Sequence, residues 1–81
     1  MVDEDIKIAK TLDTIGKYCP VPLFETRAGV DSIELGDVLE VLADDPAAEE
    51  DLKRFCKRTG HELVSFENDD GDLRFLIKRT K

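Results

Sequence analysis

Along the chain, apolar residues gather in six short groups separated by turn-forming stretches at 16–22, 35–37, 44–46, Gly60 and 68–72. Ile6, Ile8 and Leu12 share one parity, with Lys7, Thr11 and Asp13 on the other, which predicts a strand with one buried face. Val38, Leu39, Val41, Leu42 and Ala43 are interrupted only by Glu40 and are apolar on both parities, as a central strand is. The runs 63–67 and 73–78 flank the polar stretch 68–72 and read as a hairpin joined by a five-residue loop.

The segment 46–59 carries the strongest helix signals. Asp45 can cap it, and Pro46 suits the first helical position, where a missing N–H costs nothing. Acids crowd its start (Glu49, Glu50, Asp51) and bases its end (Lys53, Arg54, Lys57, Arg58), the order the helix dipole favours. Glu49–Lys53 and Glu50–Arg54 are spaced for ion pairing, and Gly60 is a natural stop. The apolar stripe is Ala48, Leu52, Phe55 and Cys56. A second helix is predicted over 20–33. Its full-length stripe of Leu23, Thr26, Val30 and Ile33 is the core face, which leaves Val21, Phe24 and Ala28 on the other side. The order β-α-β-α-β-β predicts an α/β (α+β) two-layer sandwich, a mixed four-stranded sheet with two helices on one face.

At 81 residues the chain is expected to form one domain over 1–81, with 1–5 as a flexible N-terminus. Nineteen acidic against 12 basic side chains give a net charge of −7, which argues against direct nucleic-acid binding and against an anionic membrane surface. No apolar run approaches a membrane span, and the acidic start lacks the basic, then apolar, pattern of a secretory signal. A cytoplasmic, reduced protein is therefore expected, monomeric and meeting its partners transiently.

The chemistry concentrates in Tyr18-Cys19-Pro20-Val21-Pro22, between the first strand and the first helix. Cys19 is expected at the helix cap, where unpaired N–H groups favour the thiolate. Pro20 and Pro22 stiffen the approach but carry no N–H, so among the first three helical residues only Val21 is left to donate to the sulfur. The expectation is a modestly stabilised thiolate, with Lys17 adding to it. Val21 and Phe24 would lie exposed beside the thiol, either as a docking surface for a protein or as ordinary scattered apolar residues. Cys56, sharing a stripe with Leu52 and Phe55, reads as a buried structural thiol rather than a resolving partner. His61 reads as structural rather than as a base to Cys19. Cys19, Cys56 and His61 are too few, and wrongly spaced, to be a metal set, and no cofactor is expected.

The residues Leu12-Asp13-x-x-Gly16-x-x-Cys19-Pro20-Val21-Pro22, Gly36-Asp37-x-Leu39-x-Val41, Asp44-Asp45-Pro46, Phe55-Cys56 and Gly60-His61-Glu62-Leu63 together resemble the TusA/SirA/YedF family of small sulfur-carrier proteins. The resemblance spans 12–78 and implies the same β-α-β-α-β-β sandwich. It implies that Cys19 accepts sulfur as a persulfide from a cysteine desulfurase or rhodanese-like donor. The sulfur then passes to an acceptor protein, in tRNA thiolation, molybdenum-cofactor maturation, sulfur oxidation or a selenium-linked route. Gly16, Pro20 and Pro22 would position the thiol. Arg27 and Asp45 stand where the family contacts its partners, although Asp45 also suits pure capping. Such a protein is a carrier rather than a conventional turnover enzyme. Two alternatives of other kinds remain: a regulatory or interaction module that uses the apolar surface beside Cys19, and an RNA-binding sandwich that uses the basic end of the second helix.

Overall fold

The structure, a computed structural model, describes residues 7–81, so the expected flexible segment 1–5 and the strand position of Ile6 lie outside the described residues. The elements run β1 (Ile8–Asp13), α1 (Val21–Ser32), β2 (Val38–Ala43), α2 (Ala47–Thr59), β3 (Glu62–Asp69) and β4 (Asp72–Lys78). The four strands form one sheet in the order β1-β2-β4-β3. β1 and β2 are parallel, whereas β4 runs antiparallel to both β2 and β3. This is the two-layer α+β sandwich that the pattern predicts.

The core lies between the helices and one face of the sheet. Val30 of α1, Ile33 just after it, and Leu52 and Phe55 of α2 close over Leu39, Val41 and Ala43 of β2 and Leu73, Phe75 and Ile77 of β4. α2 buries the stripe expected of it, Ala48, Leu52, Phe55 and Cys56. Its ion pairs Glu49–Lys53 (2.8 Å) and Glu50–Arg54 (3.7 Å) form as spaced. Gly60 ends it at φ 90°, a left-handed conformation that costs glycine nothing, and donates its N–H to the Cys56 carbonyl. α1 buries Thr26 and Val30, with Ile33 buried just beyond its end, and half-buries Leu23, while Val21, Phe24 and Ala28 stay outside. Gly29 lets α1 lie close to the sheet, since a Cβ there would come within 2.7 Å of Leu12 Cδ1.

Three expectations are corrected. β1 does not bury a regular face: a register shift between Ile8 and Lys10 breaks the alternation, so only Leu12 is half-buried and Ile8 is exposed. The hairpin loop shrinks from five residues to Asp70-Gly71, both at positive φ (55° and 96°), the backbone of the tight turn that twisted strands favour. Both helices begin one residue later than predicted, with Pro20 and Pro46 as the residues preceding them.

On the sheet face away from the helices, a polar chain crosses all four strands. Thr11 of β1 donates to Glu40 of β2 (2.8 Å), and Arg74 of β4 donates to both Glu40 and Glu67 of β3. The hydrogen bond from Arg74, opposed by partial burial and helped by Thr11, holds the Glu40 pKa below its ordinary value. Glu40 therefore contributes stability above the ordinary carboxylate range, and that contribution is lost as pH falls through the lowered pKa. Arg74→Met is expected to lower the urea midpoint at neutral pH and to flatten its decline on acidification; an unchanged acid limb would remove this role. A second expectation concerns Thr26, whose fully enclosed hydroxyl oxygen has no hydrogen-bond partner among the described residues. Thr26→Val should raise stability by about 1 kcal/mol, read as a higher urea midpoint; a lower midpoint would show that the hydroxyl is satisfied in solution.

Candidate functional site

Because β1 and β2 are adjacent and parallel, the loops leaving their C-terminal ends lie at the same edge of the sheet. The first, 14–20, carries Cys19 into α1; the second, 44–46, leads into α2. Thr14 anchors the first loop, fully buried, with both its N–H and its hydroxyl donating to the Leu42 carbonyl (2.8 and 2.6 Å). Gly16, at φ 86°, donates its N–H to Asp44 Oδ1 (3.0 Å). Cys19 donates its N–H to Asp45 Oδ2 (2.6 Å), while Asp45 Oδ1 accepts the N–H of Ala47 at the start of α2 (3.1 Å). One carboxylate thus caps the second helix and holds the backbone of the cysteine at the mouth of the first.

Cys19 precedes Pro20, the residue at the N-terminal cap of α1, so the thiol sits one position further from the helix than expected. Val21, the donor expected, gives its N–H to the Tyr18 carbonyl (2.9 Å) rather than to the sulfur. Lys17 is also occupied, paired with Glu25 at 2.7 Å. The thiol instead donates to Asp51 Oδ2 at 2.7 Å, reaching across from the loop before α1 to α2. That hydrogen bond, then partial desolvation, then the charges of Asp51 and Asp45 push the Cys19 pKa above its ordinary value. The expected stabilised thiolate is therefore corrected. The exposed thiol has carboxylate neighbours, which favour its protonated form.

The other proposed positions divide between the thiol and its surroundings. Pro22 is buried in the first turn of α1, and Pro20 is exposed. Tyr18 (75% exposed), Phe24 (58%) and Val21 (39%) make an apolar rim beside Cys19. Arg27 lies further along α1, in a cleft of about 130 Å³ between the helices, where Arg54 and Arg58 join it and Leu23, Phe55 and Asp51 complete the wall. Cys56 is buried, and burial pushes its pKa up to about 11. His61 stands apart from this edge. Its Nδ1 accepts the N–H of Thr80 (3.2 Å), and its ring faces Phe55 at 6.0 Å. Burial foremost, and then Arg79, lower its pKa and favour the neutral ring. Among the described residues, no group of three or more His, Cys, Asp or Glu side chains is placed to hold a metal ion. No helix among them is long and apolar enough to cross a membrane.

Sequence reasoning missed Asp51, Asp44 and Thr14. Asp51 reads locally as one of the acids that suit a helix start. The signal that could have found it is topological: parallel neighbouring strands bring both helix starts to one edge, so an acid early in α2 falls beside a cysteine before α1.

The fold and the exposed thiol together define a small thiol-presenting sandwich. Residues 10–79 match the family described as sulfurtransferase TusA, and the chain belongs to that family. A protein of Archaeoglobus fulgidus described as "Putative sulfur carrier protein" is 49% identical over 73 residues, covering 89% of this chain and 95% of that protein. A second protein of the same organism and description is 36% identical over 70 residues, covering 86% and 96%. The crystal structure of a SirA-like protein from Desulfitobacterium hafniense superposes with a TM-score of 0.77 over 89% of this chain and 99% of that one; at 23% identity it supports the fold.

The two thiols should separate cleanly. Iodoacetamide at neutral pH is expected to modify the native protein once, at Cys19, more slowly than free cysteine, and to reach Cys56 only after denaturation. Peptide mass spectrometry reads the sites; rapid native labelling of Cys56 would contradict its burial.

Proposed function

We propose that this one-domain sulfur carrier relays sulfur as a persulfide on Cys19. The observation that carries the proposal is the position of the thiol. It is exposed, free of any disulfide, and held by its backbone N–H at the joint between the two helix starts. Such a sulfur can meet a donor's persulfide in a bimolecular contact, and the protein can then offer the same face to an acceptor. The chemistry calls for no cofactor. The donor is a cysteine desulfurase or a rhodanese-like protein, and the acceptor is a further protein, for example one of a tRNA-thiolation system; the setting is the cytoplasm.

Val21 and Phe24, with Tyr18, supply an apolar contact around the reacting sulfur. Arg27, with Arg54 and Arg58, gives the adjoining cleft a positive wall in a chain of net charge −7. That contrast suits a partner that brings acidic side chains to this edge. Asp45 acts from behind, fixing the cysteine backbone, with both of its oxygens already engaged inside the protein.

Incubation with a cysteine desulfurase and cysteine is expected to add one sulfur atom to the mass of the wild-type protein and of Cys56→Ser, and none to Cys19→Ser. Loading of Cys19→Ser with loss in Cys56→Ser would reverse the assignment. The exposed rim also fits a regulatory module that binds proteins without sulfur chemistry. Full complementation of a deletion strain by Cys19→Ser would favour that role over the carrier.

A further inference from the structure

We infer that Asp51 is a catalytic residue of the sulfur relay, taking the Cys19 proton as the sulfur attacks and returning it to the departing donor. This rests on the proposed role of Cys19 as the persulfide-bearing residue. The two carboxylates set against Cys19 are Asp45 and Asp51, and Asp45 is already committed. Asp45 spends one oxygen on the Cys19 N–H and the other on the Ala47 N–H. Lys17 and Glu25 bind each other at 2.7 Å. Among the described residues, only Asp51 hydrogen-bonds the sulfur, through Oδ2 at 2.7 Å, and its other oxygen lies 4.0 Å from Arg54.

A carboxylate against a nucleophilic thiol works against reactivity if it does nothing else, since it holds the sulfur in its protonated form. Helix-start electrostatics and the Asp51–Arg54 pair would both be satisfied with the carboxylate turned away from Cys19. Its aim at the sulfur has a use when the proton must move. In the transfer, Cys19 Sγ attacks the outer sulfur of a donor persulfide, R–S–S–H. A bond forms between Sγ and that sulfur, and the donor S–S bond breaks with its electron pair left on the inner sulfur. The Cys19 proton passes to Asp51 Oδ2 and from there to the donor thiolate. Cys19–S–H and R–S–S–H thus become Cys19–S–S–H and R–S–H, with no oxidant or reductant consumed. The same carboxylate, unprotonated at the end, is ready for the reverse proton traffic at delivery.

The placement of Asp51 is not accidental to the fold. The Asp45 bridge that fixes Cys19 also fixes the start of α2, and Asp51 follows one turn inside that helix. One clamp therefore sets both the nucleophile and its proton acceptor.

The test pairs two readouts on the full chain. Asp51→Asn removes the charge and keeps the shape. It is expected to speed iodoacetamide alkylation of Cys19 several-fold at neutral pH and to shift the pH–rate profile to lower pH. It should slow single-turnover persulfide loading from a cysteine-charged desulfurase by about 100-fold. Asp51→Glu should recover part of the loading rate, and Asp51→Ser should behave as Asp51→Asn does, with thermal midpoints confirming that each variant is folded. Loading by Asp51→Asn as fast as wild type, or faster, would reduce Asp51 to a restraint on the thiol and overturn the inference. An unshifted alkylation profile would overturn it too, by removing the hydrogen bond. A wild-type protein that takes up no sulfur while the alkylation shift persists would instead remove the carrier role of Cys19, and the relay role of Asp51 with it.

Discussion

Asp45 joins the two halves of this protein's business end with a single carboxylate. One oxygen holds the N–H of Cys19, the other the N–H of Ala47, so one side chain ties the loop before α1 to the start of α2. Side-chain hydrogen bonds to backbone N–H groups are strong when the acceptor is charged, and here both are made by one group. The bridge is possible only because β1 and β2 are parallel neighbours and deliver their outgoing loops to the same edge. Asp44 reinforces it by taking the N–H of Gly16, and Thr14 closes the base of the loop on the Leu42 carbonyl.

This arrangement also works against the expected helix-dipole activation of Cys19. A cysteine gains acidity at a helix start when free N–H groups point at it. Here Pro22 has no such group, Val21 serves Tyr18, and Phe24 serves Pro20. What faces the sulfur is Asp51. The two prolines shape the approach of the chain and, by lacking donors, leave the electrostatics to a different helix.

Much of this was legible in the sequence where the determinants are local. α2 shows why: its proline, acids, bases, apolar stripe and terminal glycine all lie within one 15-residue window and agree with one another. The core face of α1 was legible too, because its helix is long enough for a full-length stripe to be told from a partial one. β1 was misread because a bulge shifts parity without leaving a mark in composition. The hairpin was misread as long because five polar residues look like a loop, yet Asp70-Gly71 alone supply the turn. The resemblance to sulfur carriers identified Cys19, but its chemical surroundings were out of reach. The Cys19–Asp45 and Cys19–Asp51 contacts span 26 and 32 residues, and no periodicity reports them.

A thiol in a carrier faces two opposed demands. It must stay unmodified among the small electrophiles and oxidants it meets alone, and it must react promptly when a charged donor arrives. A lowered pKa serves the second at the expense of the first, since the thiolate is also the form that small reagents attack. A protonated thiol beside a carboxylate separates the two. Small molecules meet a sulfur whose thiolate population is suppressed, whereas a docked donor brings an electrophilic sulfur and a leaving group that needs a proton. The apolar rim of Tyr18, Val21 and Phe24 would exclude water from that encounter, strengthening the local proton exchange as the low dielectric of a closed interface does. On this view the acidity around Cys19 and the apolar residues beside it form one device, in which selectivity for a protein donor comes from withholding reactivity until an interface has formed.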